Sequence, residues 1–178
     1  MNRNEIRVYQ AKSKDLPLIQ FFLHETAQWL KDKGSKQWNG ILEGKDTHNT
    51  PQAIEKGEVY IVDLDNEPAG MFVLWDHQSE WDQELWGVDT SFDYYYLHRV
   101  TIHRKHAGKG LADKLLYKAI EVAQADHKKA VRLDCLATNA YLNQMYSRAG
   151  FEKVGITKEH DAGEQIADFN LYEVDLEK

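Results

Sequence analysis

A chain of 178 residues, 42% hydrophobic and 29% charged, has the length of a single domain over 1–178 and the composition of a globular rather than a disordered protein. It has no apolar run near the ~18–20 residues that cross a bilayer and no apolar leader in MNRNEIRVYQAKSKD, and its lone Cys135 excludes an internal disulfide and favours a reducing, cytoplasmic setting. A net charge of −7 and a pI near 5.6 argue against nucleic acid as a partner.

In chain order, Glu5–Gln10 alternates as a short strand. Ser13 then caps a helix that tolerates Pro17 in its first turn and carries a stripe of Leu16, Ile19, Phe22, Leu23 and Leu30. Residues 34–50 read as loop, with a short helix before Lys56. Glu58–Leu64 and Ala69–Trp75 form two strands, with Asp65-Asn66 as a hairpin turn. Residues 76–93 are polar, acidic and aromatic and read as a loop or an irregular hairpin. Tyr94–His103 is a long β-prone run, followed by a glycine-containing turn and an amphipathic helix with Leu111, Leu115, Ala119, Ile120 and Ala123 on one side. Val131–Ala137 is a strand. Thr138 or Asn139 opens a helix with the stripe Leu142, Met145, Tyr146 and Ala149, and Gly150-Phe151 reads as its left-handed cap. Two last strands lie near 151–158 and 167–176.

Strand, glycine turn and helix start together make an anion site, because the first helical N–H groups have no internal partner. A Walker A loop fails here, since Gly108-Lys109 is followed by Gly110 and His103 stands where the first Gly belongs. A dinucleotide G-x-G-x-x-G is a weak match, since Gly108-x-Gly110 is followed by Asp113 and no βαβ unit opens the chain. The segment Ala107-Gly108-Lys109-Gly110-Leu111-Ala112, after a strand carrying Val100 and Ile102, resembles the pyrophosphate-binding motif of the GNAT superfamily of N-acetyltransferases. Asn139, Tyr146 seven residues on, and Gly150-Phe151 resemble the second motif of that family. Ala107 is a departure, standing where the family usually has Gln or Arg; Arg104, Lys105 or Lys109 can supply the charge.

The resemblance implies an α/β (α+β) fold: a mixed, mostly antiparallel sheet, splayed in a V between Tyr94–His103 and Val131–Ala137 and flanked by helices. It implies acetyl-CoA as co-substrate, with its pantetheine arm against Val100, Thr101 and Ile102. The diphosphate would lie on Lys105, Ala107, Gly108, Lys109, Gly110, Leu111 and Ala112, with Asn139 also at the cofactor. The reaction implied is acetyl transfer to a primary amine by direct attack in a ternary complex.

An alkylammonium, with its pKa near ~10.4, must lose a proton before it attacks, and the leaving thiolate needs a donor. Tyr146 is the expected acid, by resemblance and because a phenol suits that role. Asp134 is the expected base, against a structural reading as a salt bridge to Arg132 or Arg99. His98 is the second candidate base and, with Trp38, an expected acceptor-binding residue. Cys135 alternates onto the Val131/Leu133 face and reads as core. No spacing of the eight His argues for a metal.

Residues 43–93 hold 13 acids against Lys45 and Lys56, whereas residues 99–132 carry nine bases against three acids. The basic segment suits a small polyanion and the acidic one a cation. Trp29, Gln37, Trp38, Trp81, Trp86 and Tyr94–Tyr96 among those acids make a cleft for a small cationic amine through charge and cation–π contacts. A peptide or protein amine is the alternative acceptor, and a non-catalytic acyl-CoA-binding regulatory module the alternative function. The expected partners are acetyl-CoA and an amine left unidentified, with no nucleic acid and no membrane, and a homodimer is allowed.

Overall fold

A computed structural model describes residues 5–35, 37–163 and 165–177. Seven strands form one sheet in the order β1-β2-β3-β4-β5-β7-β6. By contacts the chain divides into two compact units, Met1–Val73 with Arg99–Leu115 and Leu74–His98 with Leu116–Lys178. Strands β3 and β4 each contribute residues to both.

In the first unit, β1 (Ile6–Gln10) pairs antiparallel with β2 (Val59–Leu64), and β2 with β3 (Glu67–Trp75). Asp65 and Asn66 both adopt positive φ, 51° and 67°, the backbone a tight two-residue hairpin demands and the reason this pair marks a turn. Helix α1 (Leu16–Asp32) follows a 3-10 turn at Ser13–Asp15 and buries Ile19, Phe22, Leu23 and Ala27. The residues expected as loop after it contain α2 (Asn39–Leu42), and the short helix expected before Lys56 is α3 (Thr50–Glu55). The end of β4 (Tyr94–Ile102), a 3-10 turn at Arg104–His106 and the start of α5 (Leu111–Ala125) complete this unit. Ile102 packs with Leu64, Ala69 and Leu111.

Arg99 has φ +52° inside β4, a left-handed residue within an extended strand. Such a conformation costs about 1–3 kcal/mol and persists only where its surroundings over-determine it. Here the side chain is buried, its guanidinium 4.0 Å from Asp46 and 3.5 Å from the Thr50 hydroxyl. Asp46 in turn accepts from the Thr50 amide and hydroxyl at 2.8 and 2.9 Å. Thr101 closes the distortion by donating its hydroxyl to the Arg99 carbonyl at 2.9 Å.

In the second unit, β4 runs parallel to β5 (Ala130–Leu136) through Tyr94–Tyr96 and Ala130–Arg132, and the ladder ends there. β5 then continues alone against β7 (Ile166–Asp175), antiparallel from Ala130 to Leu136, and β6 (Glu152–Asp161) closes the edge. A long ladder between β4 and β5 would have excluded the expected splay; only three residue pairs form it.

Alternation on β5 assigns its two faces. Cys135 contacts Asn143 of α6 (Ala140–Arg148), whereas Asp134 contacts Trp81. Trp81 lies on a helix, α4 (Glu80–Trp86), within the stretch expected to be irregular. Ser79 and Asp82 form a capping box at its start, the hydroxyl accepting from the Asp82 amide at 3.2 Å. Leu85 packs with Phe169 and Leu171, and around them lie Trp81, Trp86 and Leu136. This unit is therefore a sheet with α6 on one face and α4 on the other.

The two strand glycines without positive φ make opposite demands. A Cβ on Gly70 would lie 2.5 Å from the Thr101 carbonyl oxygen, whereas one on Gly155 would meet only a Leu171 methyl at 3.6 Å. Gly70→Ala should cost about 1–3 kcal/mol through forced backbone separation, and Gly155→Ala close to nothing or a slight gain. Urea unfolding of the two variants checks this; equal effects would contradict the close approach.

Candidate active site

The glycine turn lies in the first unit. Gly108 and Gly110 have φ +79° and +71°, and a Cβ on either would meet nothing within 4 Å. The fold thus needs glycine there for its backbone angles, not to relieve crowding, and the space above the turn is open to a ligand. Helix α5 starts at Leu111, so its unpaired first amides and the positive end of its dipole lie at this turn. An open turn, two left-handed glycines and a fifteen-residue helix start fit a diphosphate.

The side chains of this segment divide the work. Leu111 is buried, leaving its amide as the group for a ligand, and Ala112 is half-buried. Val100 and Ile102 are half-buried and Thr101 is buried, so their backbone is what β4 can offer. Laid on Gly108 and Gly110, the motif Q/R-x-x-G-x-G/A puts its basic position on Lys105 rather than on Ala107. Lys105 is paired with Glu67, and Arg104 lies over the Trp29 ring at 3.9 Å from its centroid. Lys109 is exposed.

In the second unit, Asn139 caps α6, its side chain accepting from the Leu142 amide at 3.0 Å. The helix ends as the sequence foretells. Gly150, at φ +98°, donates to the Ser147 carbonyl at 3.1 Å, and Phe151 donates to the Tyr146 carbonyl at 3.1 Å. This bond pair is a Schellman cap, with the Tyr146 and Phe151 rings in contact as its hydrophobic clasp, centroids 6.2 Å apart. The cap therefore fixes Tyr146 from its own carbonyl. The ring is 7% exposed and also meets Tyr172. Burial, with Cys135 and Asp134 nearby, pushes its phenol well above the usual range, so it carries its proton at any working pH.

Asn143 is a residue that sequence reasoning missed. Its amide donates to the Leu136 and Asn139 carbonyls at 3.1 and 2.7 Å. Its Oδ1 accepts from Tyr172 and Asn170 at 2.6 and 2.8 Å, tying α6 to the end of β5 and the middle of β7. No spacing rule distinguishes it from a surface Asn on a helix.

On the other face of β5, Asp134 accepts from Trp81 Nε1 at 3.1 Å. The salt bridge to Arg132 or Arg99, the structural reading of this residue, does not form. Arg132 pairs with Glu173 at 2.8 Å and Arg99 with Asp46. Desolvation pushes the Asp134 carboxyl up to about 6, against a lowering by His98 and by the Trp81 hydrogen bond. His98 Nε2 lies 2.9 Å from Asp82 Oδ2, and its ring lies against Trp75 at 4.8 Å. Asp134 and His98 thus come together with Trp81, expected in the acceptor cleft, and with Asp82, which sequence reasoning missed. The Ser79-x-x-Asp82 spacing was the signal that would have revealed their helix. Cys135 is buried on the α6 face, its thiol pushed up to about 12 by burial and by Asp134.

The aromatic acceptor cleft fares differently. Trp29 borders a groove of about 470 Å³ along α1, with Glu25 and Asp32, but Lys33 lies 4.2 Å from its ring centroid and Arg104 covers it as well. Arg132 lies over Tyr94, Trp86 and Tyr96 at 3.6, 4.7 and 5.9 Å. These rings already hold cations of the chain itself. Trp38 is the N-cap of α2, with φ +66°.

A carboxyl whose folded pKa lies above its unfolded value binds its proton more tightly when folded, so its contribution is complete below about pH 4. It is lost as pH rises through about 6. Asp134→Asn keeps an oxygen for Trp81 and removes the charge. Between pH 4 and pH 7 the wild type should lose up to about 3 kcal/mol of stability relative to this variant. Chemical unfolding at both pH values measures the difference; parallel curves would contradict a desolvated Asp134.

The chain is similar to known proteins in sequence and fold. The sequence model of the Acetyltransferase (GNAT) family matches residues 23–151. The uncharacterized N-acetyltransferase YesJ of Bacillus subtilis (strain 168) is 40% identical over 142 residues, covering 80% of this chain and 79% of that protein. A GNAT-family acetyltransferase from Listeria monocytogenes 4b F2365 superposes with a TM-score of 0.77 at 36% identity, over 96% of this chain and 95% of that one. At 17% identity the fold is shared by yncA of Salmonella typhimurium, a putative acetyltransferase solved with its cofactor acetyl-CoA, with a TM-score of 0.72 over 98% and 95%. Among the described residues no helix is long and apolar enough to cross a membrane. With the two sequence motifs, the glycine turn and the Asn139-capped helix all in place, the chain belongs to the GNAT family of acetyltransferases.

Proposed function

We propose that the chain, acting as one domain, transfers the acetyl group of acetyl-CoA to a primary amine that arrives as a cation, by direct attack without an acyl-enzyme. Acetyl-CoA is the co-substrate of the family to which the chain belongs, and the open, left-handed glycine turn supports that donor here. The diphosphate binds the backbone amides from Gly108 to Ala112, with Lys109 and Lys105 supplying charge. The backbone of β4 from Val100 to Ile102 receives the pantetheine arm as an added strand would. A Val100 amide, beside the left-handed Arg99, serves the developing oxyanion.

The observation that carries the reading is the division of proton-handling groups between the faces of β5. Asp134 lies on one face, partly ionised near neutrality; Tyr146 packs on the other, held protonated by burial. Asp134 takes one proton from the ammonium, directly or through water. The amine nitrogen bonds to the acetyl carbon, the C–S bond breaks as Tyr146 gives its proton to the departing thiolate, and the second proton of the attacking nitrogen returns to the Tyr146 oxygen. Cys135 remains a thiol and carries no acyl group. The amine is recognised by charge, from Asp134 with the acidic helix α4, since several of the aromatic rings are already taken.

Two variants test this on folded protein. Tyr146→Phe keeps the ring against Phe151 and Tyr172 and removes only the donor. Its kcat should fall ~100-fold or more with acetyl-CoA affinity nearly unchanged; near-normal kcat, with chemistry rate-limiting, would remove Tyr146 from the mechanism. Gly110→Val should weaken acetyl-CoA binding sharply, because a β-branched residue resists φ +71° and its methyls fill the turn. Unchanged affinity by calorimetry would overturn the diphosphate assignment.

A further inference from the structure

Helix α4 has no part in the motifs, yet its consecutive residues Trp81 and Asp82 each hold one of the two groups expected to handle the acceptor. Trp81 donates Nε1–H to Asp134 Oδ1 at 3.1 Å, and Asp82 Oδ2 meets His98 Nε2 at 2.9 Å. Asp82 is 1% exposed. The same Oδ2 takes the Ser79 hydroxyl at 3.1 Å, and the Ser79 amide lies 3.5 Å away. A carboxylate oxygen receiving that hydroxyl proton acts as acceptor, so the imidazole nitrogen facing it must be the donor. The neutral ring then carries its hydrogen on Nε2 and its basic electron pair on Nδ1. Trp75 holds the ring from β3.

Asp82 also completes the capping box of α4 and Trp81 packs beside Leu85 and Phe169, yet each uses a polar atom beyond those roles, on His98 and on Asp134. Apolar residues at 81 and 82 would bury more cheaply, because a buried carboxylate and an indole N–H each need a partner. Trp81 also stands edge-on to Phe169 and His160, at 5.0 and 4.9 Å between centroids, which fixes the indole before it donates.

We propose that α4 is the positioning element for the acceptor side of this site: Asp82 fixes the tautomer and orientation of His98, and Trp81 fixes the carboxylate of Asp134. This rests on the acetyl-transfer reading and deepens it. When the ammonium N–H bond breaks, its proton passes to Asp134 and the nitrogen keeps the electron pair with which it attacks. Asp82 and Trp81 touch neither substrate nor the reacting atoms and act through the two groups they hold. Among the described residues, the titratable groups around this pair are Asp82 and Glu84 from α4, His98 from β4, Asp134 from β5 and His160 from β6, whose Nε2 lies 3.1 Å from Glu84.

The test begins with ¹⁵N-histidine NMR of the folded, unliganded protein at a pH where His98 is neutral. His98 should show the Nε2–H tautomer in the wild type and in Ser79→Ala, which loses a cap but keeps the Asp82 carboxylate. Asp82→Asn should shift it toward a mixture or the Nδ1–H form. With an amine that turns over, Asp82→Asn should lower kcat/KM for the amine about 10-fold or more, beyond any change in Ser79→Ala, with acetyl-CoA affinity unmoved. Trp81→Phe keeps the edge-on packing and removes the donor, so the acid limb of kcat/KM should move to higher pH. An Nδ1–H tautomer in the wild type, or an unmoved limb in Trp81→Phe, would overturn the proposal. If no amine is acetylated, the transfer reading fails while the tautomer result stands by itself.

Discussion

Desolvation at β5 is the constraint on which the site depends. Two consecutive positions of that strand, Asp134 and Cys135, and Tyr146 on the neighbouring helix α6 hold titratable groups away from water. Removing water disfavours whichever form is charged, so one physical cause produces three different outcomes. The carboxyl moves up to about 6, where it can gain and lose a proton near neutrality; the thiol moves up to about 12 and is inert. The phenol keeps its proton. A carboxylate there requires a partner, which Trp81 supplies, and supplying it required α4 to cover that face.

The other half of the account is backbone. β4 leaves the β5 ladder after three pairs and takes a left-handed turn at Arg99, anchored by Asp46 and Thr50. The glycine turn then delivers the start of α5, with no atom of the described residues within 4 Å of a Cβ placed on Gly108 or Gly110. Strain at Arg99 and positive φ at Gly108 and Gly110 are costs that the fold meets through the buried contacts of its neighbours. Such costs gather at binding sites because a regular ladder would use up the amides that a ligand needs.

Much of this was legible in the sequence, and for physical reasons. Gly150-Phe151 after an apolar stripe foretold a Schellman cap because few residues reach φ +98° without strain, and both of its hydrogen bonds are present. Asp65-Asn66 foretold its hairpin for the same reason. The glycine turn and the Asn139 helix were readable because backbone angles and caps restrict residue type severely. What escaped was long-range. Residues 76–93 look irregular because their polar and aromatic residues follow no clean period; only the Ser79–Asp82 box betrays α4. That Asp134 would meet an indole rather than Arg132, and that Arg132 would cover Tyr94 and Trp86, depends on register among β5, β7 and α4, which no local pattern records. The left-handed Arg99 has no signature at all, since arginine carries no preference for that conformation.

The central claim is direct transfer governed by buried proton donors and acceptors, and product stoichiometry tests it most directly. A panel of primary amines is incubated with acetyl-CoA and the folded protein, and released thiol, N-acetylated amine and intact protein mass are measured together. The account predicts, for at least one amine, equal molar amounts of thiol and acetylated product, with no acetyl group on the chain in the presence or absence of amine. Acetyl accumulating on Cys135, or thiol released without any acetylated amine, would contradict it.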